Sequence, residues 1–228
     1  MATHLDLEEQ EQLDQFKHFW NQWGTPITTV LVVVLGGFAA WNGWQLWQQR
    51  QATQAAALAD AVTVAVQSQD QGRVALAFEE LKKEYGATVQ ASQAALQVAK
   101  AAQDAGKTDA AKAALQWAAD HVEDAGYRST AKLRLAALHI QAQELDAAAA
   151  LLQGDFAPEF KALAQDRLGD VLQLQGKTQE AIAAYQQAWH QLDERLEYRA
   201  LVAYKLNALG IATTATTATT APTTESAS

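Results

Sequence analysis

A small residue followed four positions later by a large apolar one recurs down this chain, and the recurrence confines most of it to one kind of architecture. The pattern Ala-x-x-x-Leu/Tyr falls at Ala77/Leu81, Ala111/Leu115, Ala147/Leu151 and Ala181/Tyr185, spaced 34, 36 and 34 residues apart. Gly72, Gly106 and Gly176 each lie five residues before the alanine, and Ala142 takes that place in the third unit. With only 3 prolines in 228 residues and a preponderance of Ala, Leu and Gln, the chain is biased toward helix throughout. A period near 34 in helix-only sequence is the mark of stacked helix-turn-helix units, none of which buries its apolar face alone.

Each unit reads as helix A, a tight turn and helix B. The glycine supplies the left-handed backbone that ends helix A. The alanine lets helix B approach closely, and the larger residue one turn later fills the space between the two. Gly86 and Gly126 are expected to end the first two B helices, with Thr88 and Ser129 as N-caps of the helices that follow. Pro158 sits where a first-turn proline is tolerated. Residues 194–209 form a last amphipathic helix, with Leu196, Leu201, Tyr204 and Leu209 offered to a core. It serves as the terminal cap a solenoid requires.

Residues 27–47 carry no charge in 21 positions. At about 1.5 Å per residue the run spans roughly 30 Å, the thickness of a bilayer core. Trp20 and Trp23 precede it, and Trp41, Trp44 and Trp47 close it, so five of the 7 tryptophans lie where interfacial belts form. The residues before it are acidic, with Asp6, Glu8, Glu9, Glu11 and Asp14 against Lys17, which is unlike the basic start of a cleaved signal. A retained anchor is the reading. Lys17 on one side and Arg50 on the other leave the orientation undecided by charge. Leu13, Phe16, Trp20 and Trp23 share a helical face suited to a membrane surface. Gly36, Ala40 and Gly43 form a small-residue stripe able to pack against another membrane helix.

The expected fold is therefore all-α: a single N-terminal transmembrane helix, then an α-solenoid of about four helix pairs with a C-terminal capping helix. The divisions are an acidic tail over 1–26, the anchor over 27–47, the repeat domain over 48–210 and a disordered Thr/Ala-rich tail over 211–228.

Chemistry is hard to find. The chain holds 17 Lys and Arg against 26 Asp and Glu, a formal charge of −9, with no basic cluster to meet a nucleic acid. With 0 cysteines, thiol catalysis and Cys-ligated zinc are excluded. His4, His18, His121, His139 and His190 include no i, i+4 pair, and no phosphate loop or nucleophile elbow occurs. Adjacent acids such as Glu79-Glu80 and Glu123-Asp124 diverge around a helix as a solvated face would. Trp117 and Trp189 sit at packing positions of B helices, where filling a core is the ordinary role. No enzyme, cofactor or metal site is expected.

Leu168-Gly169, Leu172, Gly176, Ala181, Tyr185 and Ala188 resemble the tetratricopeptide (TPR) consensus nearly position for position, and the other units match it more loosely. In that register Gln69, Gln93, Lys100, Gln103, Leu133, Asp166, Asp170 and Gln173 face the concave groove where TPR proteins take polypeptide partners. The chain from about Glu8 to Asn207 is similar to the ancillary subunits of the SecYEG translocon, YfgM-like TPR proteins. The similarity is carried by the acidic start, Lys17-His18-Phe19-Trp20, Gly24, the anchor ending in Gly43-Trp44 and the Ala-rich repeats. The resemblance implies a bacterial inner-membrane, single-pass protein with its N-terminus cytoplasmic and its repeats periplasmic. It implies association with SecYEG and a membrane-bound periplasmic isomerase-chaperone, and the passing of secreted chains to periplasmic chaperones. The rival is a membrane-tethered scaffold for another envelope complex, in division or lipoprotein assembly.

Overall fold

The computed structural model describes residues 7–213; the N-terminal six residues and 214–228 lie outside it, as do the side chains of 7–16, Phe19, Trp23 and Ile27. The expected disorder of the Thr/Ala tail from 214 onward, and the apolar face built on Leu13, Phe16 and Trp23, therefore fall outside the described residues. Nine helices and no strand occur among those described: α1 (Leu7–Gln67), α2 (Gln71–Tyr85), α3 (Val89–Asp104), α4 (Thr108–His121), α5 (Ala125–Gln141), α6 (Leu145–Leu152), α7 (Pro158–Leu174), α8 (Thr178–Gln191) and α9 (Glu197–Ala208). The chain divides into two compact units, Met1–Thr53 and Gln54–Ser228.

In the first unit α1 is long and apolar enough to cross a membrane, by length and composition. Val30 to Leu35, Phe38 and Trp41 are each more than half exposed, so no protein surface covers them. A helix is the conformation lipid demands there, because it satisfies every interior backbone group internally. The polar side chains of the segment turn back onto it: Asn42 Nδ2 donates to the Phe38 carbonyl at 2.9 Å, and Thr29 Oγ1 to that of Thr25 at 2.8 Å. Helix begins well before residue 27 and continues through Pro26. The Trp20 ring folds over Gly24, lying 3.3 Å from where a Cβ would stand.

The second unit is the solenoid. The end of α1 shares an apolar cluster and the Tyr85–Gln54 hydrogen bond with α2, while α3/α4, α5/α6 and α7/α8 make three further pairs, with α9 closing the series. α3 packs on α5 and α5 on α7, so the first helices of successive pairs form one layer. Two contiguous apolar clusters fill it. One runs from Ala55 and Val62 through Phe78, Leu81 and Leu115 to Leu138. The other is built from Leu152, Leu168, Val171, Tyr185, Val202 and Leu206.

The turns correct the register. Left-handed residues stand at Gln69 (φ 55°), Gly106 (φ 72°), Gln143 (φ 62°), Gly176 (φ 76°) and Gly210 (φ 81°), spaced 37, 37, 33 and 34 residues apart. Gly72 instead lies in the first turn of α2, capped by Asp70, whose Oδ1 accepts from the Arg73 N–H at 3.1 Å. Five residues after each of the first four turn residues come Val74, Ala111, Ala148 and Ala181, all buried. Four further on come Phe78, Leu115, Leu152 and Tyr185, also buried. The first pair is thus Val74/Phe78 rather than Ala77/Leu81, and the third is Ala148/Leu152, with Ala147 exposed. Glutamine holds the turn at two places, where the sequence pointed to Gly72 and to Ala142.

Of the other local expectations, two hold and the rest shift. Thr88 caps α3, accepting from the Ala91 N–H at 3.2 Å, and Pro158 opens α7. Gly126 and Ser129 lie inside α5, whose cap is Asp124, with Oδ1 accepting from the Tyr127 N–H at 2.9 Å. Buried Ser129 accepts from the Ala157 N–H at 3.0 Å and so secures the start of α7. In α9 the core is made by Val202, Ala203 and Leu206, whereas Leu196, Leu201 and Tyr204 are exposed. A helical stripe of this spacing has two candidate faces, and docking on α8 chose the one with alanine.

Candidate partner-binding groove

Counting back from each left-handed turn residue gives equivalent positions on successive first helices. Seven residues back stand Val62, Ala99, Ala136, Gly169 and Ala203, all buried. Gly169 is required there, because a Cβ would lie 2.5 Å from the ring of fully buried Tyr185. Nine residues back stand Asp60, Gln97, Arg134, Arg167 and Leu201, turned away from those buried positions and exposed except for half-buried Gln97. The sequence thereby presents arginine at the same place on two neighbouring helices, α5 and α7.

Between those helices runs a groove of about 520 Å³ lined by Leu133, Arg134, Ala136, Ala137, Ile140, Gln141, Leu163, Arg167 and Asp170. Leu133, Ile140 and Leu163 are half-buried and make an aliphatic floor. Arg134 is exposed, and no ion pair engages it among the described residues. Arg167 reaches Asp170 at 3.4 Å, a long contact.

Beside the groove lies a closed polar network. Asp166 is fully buried; its Oδ1 accepts from Lys205 Nζ at 2.8 Å and its Oδ2 from Tyr198 Oη at 2.5 Å. The same ammonium donates to Asp170 Oδ1 at 2.7 Å, which also accepts from Tyr185 Oη at 2.8 Å. Burial, then the hydrogen bonds to Asp170 and Asp166, push the Tyr185 and Tyr198 phenols well above the ordinary tyrosine range. Both hydroxyls consequently stay protonated as donors. The arrangement fastens α9 to α7 and satisfies two carboxylates that would otherwise be costly to bury.

The groove residues expected from sequence are dispersed. Leu133 and Asp170 line the groove itself. Gln173 adjoins it, its Oε1 accepting from Tyr185 Oη at 3.2 Å. Gln93 on α3 donates to Tyr127 Oη at 2.7 Å, Lys100 pairs with Asp104 at 2.7 Å, and Gln103 is exposed on the same helix. Gln69 is a turn residue. Asp166 is not offered to a partner at all, because Lys205 and Tyr198 consume it. Arg134, Ile140, Leu163 and Arg167 were missed. The signal for them was present in the equal distance of both arginines from a left-handed turn, but glutamine at 143 concealed that turn.

Elsewhere, Glu144 Oε2 accepts from Lys112 Nζ and from the Nδ1–H of His139, tying α4, α5 and the turn before α6 together. These bonds, from Lys112 first and His139 second, hold its carboxyl below the ordinary carboxylate range. In the first unit nothing lies within 4 Å of a Cβ built at Gly36 or Gly43, and Ala40 is exposed. Among the described residues no group of three or more His, Asp or Glu side chains converges to hold a metal ion.

The arrangement offers concave, partly aliphatic surface, two guanidinium groups and no convergent nucleophile and base. Residues 17–211 match the tetratricopeptide repeat-like domain family. The chain is also similar to a Neisseria gonorrhoeae protein described as an ancillary SecYEG translocon subunit. The two are 32% identical over 155 residues, which is 68% of this chain and 74% of the relative.

Proposed function

Because the chain belongs to the ancillary SecYEG translocon subunits, a family built on a tetratricopeptide repeat-like domain, we propose that it is a non-catalytic, membrane-anchored accessory subunit of the Sec translocon. The N-terminus lies in the cytoplasm, α1 crosses the inner membrane, and the repeats stand in the periplasm. There they receive emerging chains and pass them to periplasmic chaperones, with a membrane-bound isomerase-chaperone as companion. The observation that carries this reading is the union, in one chain, of an uncovered apolar helix with a helical-repeat unit whose inner layer holds an open groove. Anchoring keeps that groove near the channel exit at high effective concentration, so a modest intrinsic affinity suffices. The groove-facing residues are proposed to contact polypeptide: Leu133 and Asp170 from its lining, with Gln93, Lys100, Gln103 and Gln173 along the same layer. Gly36, Ala40 and Gly43 are proposed to meet a membrane helix of the channel.

The test is purification of the full-length protein from native membranes in mild detergent, with mass spectrometry of what accompanies it. Channel subunits and a periplasmic chaperone are expected, and both should be lost when residues 27–47 are exchanged for an unrelated apolar segment. Recovery of a division or lipoprotein-assembly complex without channel subunits, even after crosslinking, moves the function to the scaffold reading. A periplasm-active reporter fused after Leu209 is expected to be active; an inactive one reverses the orientation.

A further inference from the structure

We infer that the groove between α5 and α7 selects polypeptide segments in which a carboxylate side chain stands next to aliphatic ones, with Arg134 as the principal recognition group and Arg167 as its neighbour. The inference rests on the reading above that this layer takes polypeptide, and adds what kind of segment it prefers.

The charge balance of the groove is the first support. Asp166 is saturated by Lys205 and Tyr198, and Asp170, which lines the groove, is neutralised at Oδ1 by Lys205 with Tyr185 donating to the same oxygen. Arg167 has only its long contact with Asp170, and Arg134 has no ion partner among the described residues. Three cations, Arg134, Arg167 and Lys205, thus face two neutralised anions, a local excess of positive charge in a chain of formal charge −9. Positive potential confined to one concavity of an acidic molecule draws anionic groups there and repels them elsewhere.

The second support is the donor geometry. Guanidinium groups offer planar paired N–H donors that match a carboxylate in two parallel hydrogen bonds, which a lysine cannot do. The two arginines occupy equivalent places on adjacent first helices, nine residues before Gln143 and Gly176, so both belong to one rim. Between them, half-buried Leu133, Ile140 and Leu163 provide aliphatic contact. A groove of about 520 Å³ takes a few side chains rather than a folded domain. The fitting occupant is an extended segment that alternates aliphatic and acidic side chains.

The experiment uses full-length protein in nanodiscs of zwitterionic lipid and three fluorescent twelve-residue peptides with a Leu-Asp-Leu-Asp centre, its Asn counterpart and its Lys counterpart. Fluorescence anisotropy is expected to rank Asp well above Asn and Lys, with affinity falling as salt rises. Arg134→Gln should weaken the Asp peptide by roughly tenfold, close to the Asn peptide's level, while Arg134→Lys restores only part. Equal binding of the Asp and Asn peptides, or an unchanged Asp affinity in both Arg134→Gln and Arg167→Gln, overturns the inference. Ile140→Asp separates the two levels of failure. If it abolishes binding while the arginine variants do not, the groove takes polypeptide without regard to charge. If it too changes nothing, the groove reading itself fails. Capture of anionic vesicles in place of the Asp peptide assigns the arginines to a lipid surface, and overturns the inference also.

Discussion

Asp166 shows how far a side chain's role depends on partners that periodicity does not reveal. Its place on the inner layer follows from the spacing of Gly169 and Gly176, yet it is fully buried beneath Lys205 and Tyr198, 39 and 32 residues further along. Nothing in the repeat pattern reports that a lysine of the closing helix will arrive there. Removing one member of such a set leaves an uncompensated charge in the interior. Lys205→Met is therefore expected to lower stability by about 3 kcal/mol in urea unfolding. Tyr198→Phe, which removes one donor and keeps the ring, should cost about 1 kcal/mol. If Lys205→Met unfolds at the wild-type midpoint, Asp166 carries no buried charge that depends on Lys205. Glu144 is the contrasting case, half-exposed and tied to Lys112 and His139. Its carboxyl ionises more readily in the folded state than in the unfolded chain, so its contribution is complete above the ordinary carboxylate range. That contribution fades as pH falls through the lowered value. Glu144→Gln is expected to reduce the Tm slightly at neutral pH, as befits an exposed pair, and to match wild type in acid below that window. A difference that grows on acidification contradicts the assignment.

The turns carry the lesson at the level of elements. The helix pairs, the four-plus-cap count and the C-terminal unit built on Gly169, Gly176 and Tyr185 were legible because glycine and alanine mark them. The first and third pairs were misplaced by three residues and one because Gln69 and Gln143 occupy left-handed backbone without advertising it. A left-handed conformation costs an L-residue about 1 kcal/mol or more, and a glycine is excused from it. Gln143→Gly is accordingly expected to stabilise by about 0.5 kcal/mol, the gain being reduced by the glycine's greater freedom when unfolded. Gly176→Ala should destabilise by about 1 kcal/mol through backbone alone, since nothing lies within 4 Å of the added Cβ. Gly169→Ala fails for a different reason, collision with the Tyr185 ring, and overpacking of that kind costs about 1–3 kcal/mol. Thermal unfolding of the three variants separates the two mechanisms: a Gly176→Ala protein as stable as wild type rules out the backbone account. The choice of face on α9 and the dispersal of the expected groove residues have one root. Amphipathic spacing says that a face is buried but not against which neighbour, and α8 took Val202, Ala203 and Leu206 in preference to the larger residues beside them.

For the whole molecule, the decisive boundary is not where the uncharged run ends but where the repeat core begins. Ala55, Val62 and Ala65, from the last turns of α1, are buried in the same cluster as Phe78, Leu81 and Val98. Gln54 Oε1 accepts from Tyr85 Oη at 3.0 Å, and Thr63 Oγ1 donates to Gln97 Oε1 at 3.1 Å, so this stretch is the first helix of the first pair. Sequence separates the anchor from the first repeat helix because charge and polarity change between them, yet residues 54–67 are the closing turns of α1 rather than an element of their own. A chain that starts at Gln54 keeps the whole core and sheds the exposed valines and tryptophans of the membrane run. It is expected to be monodisperse without detergent and to unfold cooperatively. A chain that starts at Gln71 loses the buried Val62 and its alanine neighbours, roughly 5 kcal/mol of apolar burial. That is a large part of the 5–15 kcal/mol typical of a folded domain. It also leaves Val74, Phe78 and Leu81 uncovered on one side, the condition under which a solenoid end aggregates. Gel filtration and circular-dichroism melts of the two truncations test this directly. If the Gln71 chain melts as high and as sharply as the Gln54 chain, the end of α1 is merely a linker and the solenoid begins one helix later.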